Sequence, residues 1–256
     1  MMIVDTSSNE NLFLRKLNDK AEQAYYNNFP TYTHFLDLHE QGLFKSHMKE
    51  FHNVNNIMFG GNDSCERKII MFFPRDYQED QIYFPIAILQ IINNSASDKL
   101  NHRDYLGALM NLGIERYKLG DIICDEHSAY VFCIDALSDY IIEQLIMIKR
   151  TTVTINKINM SEVTQIGPRF DVIKGTVSSL RLDSILKIGF SLSRGNATIL
   201  IQGGKAFINN KLYEKNSSKV EEGDVISLRG FGKLKINTIG DYTKKGRIFI
   251  ELLKYK

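Results

Sequence analysis

Apolar residues along this chain recur first with a helical period, then with a strand period, then in alternating blocks of both. Between residues 10 and 28, Leu14, Leu17, Ala21, Ala24 and Tyr25 fall on one helical face, and Pro30 interrupts before a second helix expected over 33–51. From residue 55 the period shortens. Apolar runs at 56–59 and 68–73 flank Gly60-Gly61-Asn62-Asp63, which predicts a β-hairpin, and a third strand-like run covers 82–92. Leu106, Leu109 and Met110 set a helix over 102–112 closed by Gly113, and runs at 122–124 and 130–134 around Asp125-Glu126 make a second hairpin. A helix over 136–149 carries Leu137, Ile141, Leu145 and Ile148, and a strand follows at 153–158.

Residues 161–168, ending in Gly167-Pro168, read as a linker, and a strand is expected over 169–177. Two short amphipathic helices follow. Leu182, Ile185 and Leu186 stripe the first, Ala197, Leu200 and Ile201 stripe the second, and Gly203-Gly204 ends it. Strands at 205–209, 225–229, 230–236 and 247–253, with turns at 221–224 and 241–246, complete a small sheet. The fold class is therefore α+β in three parts: an N-terminal helical segment over 1–54, a ferredoxin-like or RRM-like α+β domain over 55–166, and a domain of two helices plus a small sheet over 167–256.

Charge divides the chain as well. Residues 167–256 hold 17 Lys and Arg against 8 Asp and Glu, a net of +9, while residues 1–166 hold 15 against 22, a net of −7. A basic C-terminal third on an acidic body points to a polyanion as that third's partner. The cations sit where an anion is already favoured: Arg181 opens the first helix and Ser193-Arg194 the second, beside the unpaired N–H groups of helix starts. Asp183, an acid in this surface, reads as a helix-start cap and a clamp on the neighbouring cations.

Other chemistry is thin. Cys65, Cys124 and Cys133 are odd in number and form no C-x-x-C pair, which disfavours disulfides and structural zinc and points to a reducing cytoplasm. No secretory leader pattern and no membrane-spanning apolar run stands out. His34, His39, His47 and His52 cluster without a ligand pattern, so no metal or other cofactor is expected. His102-Arg103-Asp104 lacks the remainder of a kinase catalytic loop; His102 or Asp104 is expected to cap a helix, and Arg103, Arg116 and Lys118 form a possible second contact surface for phosphates. Phosphate-binding and dinucleotide-binding glycine loops are missing. Gly230-Phe231-Gly232 could present Phe231 for base stacking, although a Phe at a strand edge more often fills a core.

In order, R-L-D at 181–183, S-R at 193–194, A-x-x-L-I-x-x-G-K-A-x-I-N at 197–209 and V-x-x-G-D-x-I at 220–226 resemble an S4 RNA-binding domain. Adding F-G-G at 59–61, E-R-K at 66–68, the His102–Arg116 stretch, G-D-I at 120–122 and R-G-F-G-K at 229–233, nearly the whole chain resembles the bacterial YlmH family. What this resemblance implies is a non-enzymatic, cytoplasmic RNA-binding protein; a monomer with no small-molecule substrate and no membrane partner is the accompanying expectation. Its implied place is the large ribosomal subunit, in quality control of stalled nascent chains, with rRNA and tRNA as its partners. The candidate RNA-binding residues are Arg181, Arg194, Ser193, Lys205, Lys211 and Arg229. The alternative is an S4-fused RNA-modifying enzyme of the pseudouridine synthase type with Asp104 as nucleophile. A third reading makes the acidic N-terminal part a protein-binding scaffold.

Overall fold

The computed structural model describes residues 6–78, 82–95, 99–159, 162 and 170–255. Apart from Glu162, the expected linker at 161–168 lies outside the described residues, as does Arg169 of the strand expected to follow it. The chain forms two compact units, Met1–Gly167 and Pro168–Lys256.

The first unit begins with α1 (Thr6–Asn27), whose Leu17, Ala21 and Ala24 are buried; Tyr25, expected on the same face, is half exposed. Asp37 and Glu40 form a capping box that starts α2 only at Leu38 (Leu38–Ser46), so the helix expected from 33 is shorter and follows a two-residue strand, β1 (Thr31–Tyr32). β2 (Asn55–Phe59) and β3 (Ile69–Phe73) form the expected hairpin, and β1 adds to it in the order β1-β3-β2. α1 and α2 cover this small sheet around Phe44, Phe51, Ile70 and Phe72.

The second sheet holds β4 (Ile86–Asn93), β5 (Leu119–Cys124), β6 (Ser128–Ile134), β7 (Met147–Ile148) and β8 (Thr151–Ile158), in the order β5-β6-β4-β8-β7, every neighbouring pair antiparallel. Leaving aside short β7, this is the strand order of a ferredoxin-like βαββαβ unit. α3 (His102–Asn111) and α4 (Ser138–Gln144) lie on one face against Leu89, Ile91, Leu109 and Ile141. α4 is shorter than the sequence suggests. Leu145 ends it, and Ile148, a helical residue by spacing, is instead buried in β7, with Lys149 at φ 55° turning the chain into β8.

The opposite face of this sheet packs on the small sheet, with Phe35, Cys65 and Ile69 meeting Ile86, Ile88, Ile123 and Phe132. The approach depends on glycine. Gly61 has φ +97°, and a Cβ there would lie 2.5 Å from a Phe132 ring carbon. Gly61→Ala is therefore expected to cost about 2 kcal/mol or more, from backbone strain and overpacking together. Chemical denaturation of the full chain measures this, and a variant as stable as the parent would refute the packing argument.

Polar groups seal the same junction. The Asp121 carboxylate accepts from the backbone N–H of Glu66 (2.7 Å) and Arg67 (3.0 Å). Arg67 donates Nε to Leu119 O (3.0 Å) and Nη2 to Phe35 O (2.7 Å), and Arg116 donates Nη1 to Leu119 O (2.7 Å) and Gly120 O (3.0 Å). Burial, with Arg67 close by, lowers the Arg116 guanidinium to about 10.

The second unit contains β9 (Phe170–Val177), α5 (Leu182–Gly189), α6 (Arg194–Gln202), β10 (Ala206–Ile208), β11 (Lys211–Leu212), β12 (Val225–Leu228), β13 (Gly232–Tyr242) and β14 (Ile248–Tyr255). Its strands form one antiparallel sheet ordered β11-β10-β12-β13-β14-β9. Asn209 (φ 48°) and Asn210 (φ 64°) make the two-residue turn between β10 and β11, a conformation asparagine tolerates and tight hairpins need. α5 and α6 cover one face, where Leu182, Ile185, Leu186, Ala197 and Ile201 meet Leu234, Ile236 and Leu252. Gly189 lets α5 lie directly on Leu234.

Candidate nucleic-acid interface

The helix starts carry the chemistry of the second unit. Asp183, at the second position of α5, is completely buried, and its carboxylate joins two arginines. Arg181 donates Nε to Oδ1 (3.1 Å) and Nη2 to Oδ2 (3.0 Å), Arg194 donates Nε to Oδ2 (3.2 Å), and the Ser184 hydroxyl reaches Oδ1 at 3.3 Å. Burial alone would raise this carboxyl. The hydrogen bonds from Arg181 and Arg194 outweigh it and hold Asp183 below the usual carboxylate range.

The clamp expected of Asp183 is thus present. The cap is not, because Arg181 occupies the N-cap position and makes no side-chain cap bond. Both guanidinium groups remain open to solvent, with side-chain exposure of 33% for Arg181 and 58% for Arg194. Two fixed cations sharing one anion leave a net positive point of defined geometry, suited to a phosphate.

The backbone at α5 differs from the sequence expectation. Leu182 N–H donates to Ser218 O (2.9 Å) and Asp183 N–H to Asn216 O (3.2 Å), so the 216–218 loop has taken groups that an incoming anion would need. At α6, Ser193 is the N-cap and its hydroxyl oxygen accepts from Asn196 N–H at 3.1 Å.

Lys205 and Arg229 flank two paired strands, Lys205 just before β10 and Arg229 just after β12. Arg229 N–H donates to Lys205 O (2.9 Å), and the Arg229 guanidinium carbon stands 4.6 Å from the centre of the Phe207 ring. Lys211 begins β11, paired with Ile208 beyond the asparagine turn.

In the first unit, Arg103 is exposed in the first turn of α3. The cap of that helix is Asn101, with Asp104 closing a capping box and binding Lys149 at 2.6 Å; neither His102 nor Asp104 is the N-cap itself. The hydrogen bond from Lys149, reinforced by the Asn101 backbone, holds the Asp104 carboxyl below its ordinary value. Lys118 pairs with Glu115 at 2.9 Å and sits over the Tyr117 ring. Arg116 is spent on the Leu119 and Gly120 carbonyls, which makes it an internal tie of the unit rather than a solvent-facing contact. Arg67, which sequence reasoning passed over, shares that role, and its presence in E-R-K was the available signal.

Two helices with basic starts laid on a small sheet, preceded by a ferredoxin-like unit, define an S4-domain protein. The S4 domain family model matches residues 180–226, and the family model described as a putative RNA-binding domain in YlmH matches residues 79–162. The chain is 33% identical over 218 residues to the ribosome-associated protein quality control protein P2 of Bacillus subtilis (strain 168), a match covering 84% of this chain and 83% of that one. The solved structure of the cell division protein ylmH from Streptococcus pneumoniae shares the fold, with a TM-score of 0.53 at 21% identity over 64% of this chain and 100% of that chain. The chain belongs to the YlmH family.

Proposed function

We propose that this protein is a non-enzymatic, monomeric, cytoplasmic RNA-binding protein that holds rRNA and tRNA on the large ribosomal subunit during quality control of stalled nascent chains. The observation that carries the reading is the pair of solvent-facing arginines fixed on buried Asp183. The name of the Bacillus subtilis relative supports the ribosomal setting, and the +9 charge of residues 167–256 supports a polyanionic partner. Arg181 and Arg194 contact phosphates through their remaining N–H groups, with Ser193, Lys205, Lys211 and Arg229 as supporting contacts. Recognition is then by shape and phosphate position rather than by reading bases in a deep groove. Asp104, the nucleophile of the modifying-enzyme alternative, is engaged by its capping box and Lys149, which favours the binding reading. Arg103 and Lys118 are proposed as a weaker second contact surface.

The test is co-sedimentation of the full chain with purified large ribosomal subunits across a salt series. Arg194→Ala is the informative variant, since Arg181 still holds Asp183 through two hydrogen bonds. Removing both arginines would strand a buried carboxylate, so the double variant is expected to destabilise this unit and cannot separate binding from folding. Arg194→Ala should weaken association and flatten the log-affinity against log-salt slope by about 0.9. Unaltered binding by the folded variant would remove this pair from the interface.

A further inference from the structure

The sheet of the second unit has a face that carries no helix. Core residues Ala206, Ile208, Ile226, Leu228, Leu234 and Leu252 point toward α5 and α6, so the alternate positions of the same strands point away from them. Strand pairing sets those positions in rows. One row runs Leu212, Phe207, Ser227, Lys233 through the β11-β10-β12-β13 pairings, and another runs Lys235, Leu253, Val172 across β13-β14-β9.

Tyr255 and Phe170, opposite each other in β14 and β9, extend the first row, with ring centres 4.8 Å apart. Each aromatic cluster here carries a cation: Arg229 stacks on Phe207 at 4.6 Å, and Lys233 Nζ lies 5.2 Å from the Tyr255 ring centre. Phe207, Tyr255 and Phe170 are only partly buried. Glu251, an acid on this face, is matched by Lys174 at 3.1 Å, so the face as a whole stays basic.

We infer that this helix-free face is a second RNA surface, one that takes a single strand by stacking bases on Phe207 and Tyr255 while Arg229, Lys233 and Lys235 meet its phosphates. The chemistry decides the ligand class. Aromatic rings with cations between them, on an open sheet, suit unpaired bases on a charged backbone, whereas a duplex keeps its bases stacked inside. A purely apolar protein partner would take Lys235 and the Arg229 guanidinium out of water while offering them no charge in return. This surface is separate from the arginine pair on Asp183, which is proposed for structured RNA; of the supporting contacts named for that site, Arg229 alone also lies here, stacked on Phe207.

The experiment measures fluorescence anisotropy of a labelled oligouridylate of about ten nucleotides with the full chain, beside an oligonucleotide of equal length lacking bases. Lys233→Glu with Lys235→Glu should flatten the salt slope for the single strand by about 1.4. Tyr255→Ser, at the end of the last strand, should weaken binding of the base-bearing strand about tenfold and leave the baseless strand unchanged. Arg194→Ala should leave single-strand binding intact, which keeps a failure here distinct from a failure of the structured-RNA reading. The inference is overturned if the lysine variant binds the single strand like the parent, if the baseless strand binds equally well, or if Arg194→Ala abolishes single-strand binding. Equal competition by duplex RNA would also overturn it.

Discussion

Replacing Asp183 with alanine is expected to lower the melting temperature of the C-terminal unit by roughly 8–24 °C and to weaken RNA binding, although the net positive charge rises. The carboxylate is fully buried and receives three hydrogen bonds from guanidinium groups. Breaking a fully buried ion pair costs about 3–5 kcal/mol. Both arginines here can turn into water, which reduces the expected loss to about 2–3 kcal/mol, and each kcal/mol moves a domain of this size by about 4–8 °C. The direction of the binding effect separates two mechanisms. If charge alone attracted RNA, removing an acid would tighten binding; if the fixed positions of Arg181 and Arg194 matter, binding weakens. Tighter binding by the folded variant would therefore defeat the positional argument.

The same carboxylate makes a pH prediction. Its folded-state value lies below the ordinary one near 3.9, so the stability it contributes is complete above about pH 4 and is lost as pH falls through the depressed value. Calorimetry of wild type and Asp183→Asn between neutral and acidic pH should show the difference between them shrinking in that range. A constant difference would assign the effect of Asp183 to packing.

Arg67→Ala is the second large expectation, at about 3 kcal/mol of the first unit's stability. The guanidinium satisfies carbonyls of Leu119 and Phe35, one on each side of the junction between the two sheets, and its loss leaves both without that donor. Arg67→Lys should recover little, because an ammonium cannot reproduce the planar fork that serves two acceptors at once. Hydrogen exchange provides the local readout: amides of Phe35, Leu36 and Lys68, all bonded across this region, should exchange faster in the variant. A lysine variant with wild-type protection would show that charge, not fork geometry, is what the junction uses.

Both arginine positions were legible in different degrees. Arg181 and Arg194 stand out as the cations that open two consecutive amphipathic helices, and it is the S4 resemblance, not helical spacing, that brings them toward one site. The stripes of α5 and α6 and the glycine stop at 203–204 were legible because each is a local pattern that the fold reinforces. Pairings made across long stretches of sequence were not. β1 joins β3 far along the chain, Arg229 reaches Phe207 only because β10 and β12 pair, and the 216–218 loop takes the first N–H groups of α5 after a long excursion. Ile148 shows a second limit. Its spacing fits α4, yet the chain turns at Lys149 and places it in a sheet, where tertiary burial overrides the helical pattern.

The packing of the small N-terminal sheet on the ferredoxin-like sheet has a consequence for where this chain can be divided. The matched family region begins at residue 79, but Ile86, Ile88 and Phe132 are buried against Phe35, Cys65 and Ile69, which precede it. A fragment of residues 79–162 would turn these side chains toward water at about 1.5–3 kcal/mol each, and would offer the uncovered sheet to whatever apolar surface it met first. The matched segment and the folding unit thus have different borders: residues 79–162 keep a buried sheet face only in company with the small N-terminal sheet that roofs it.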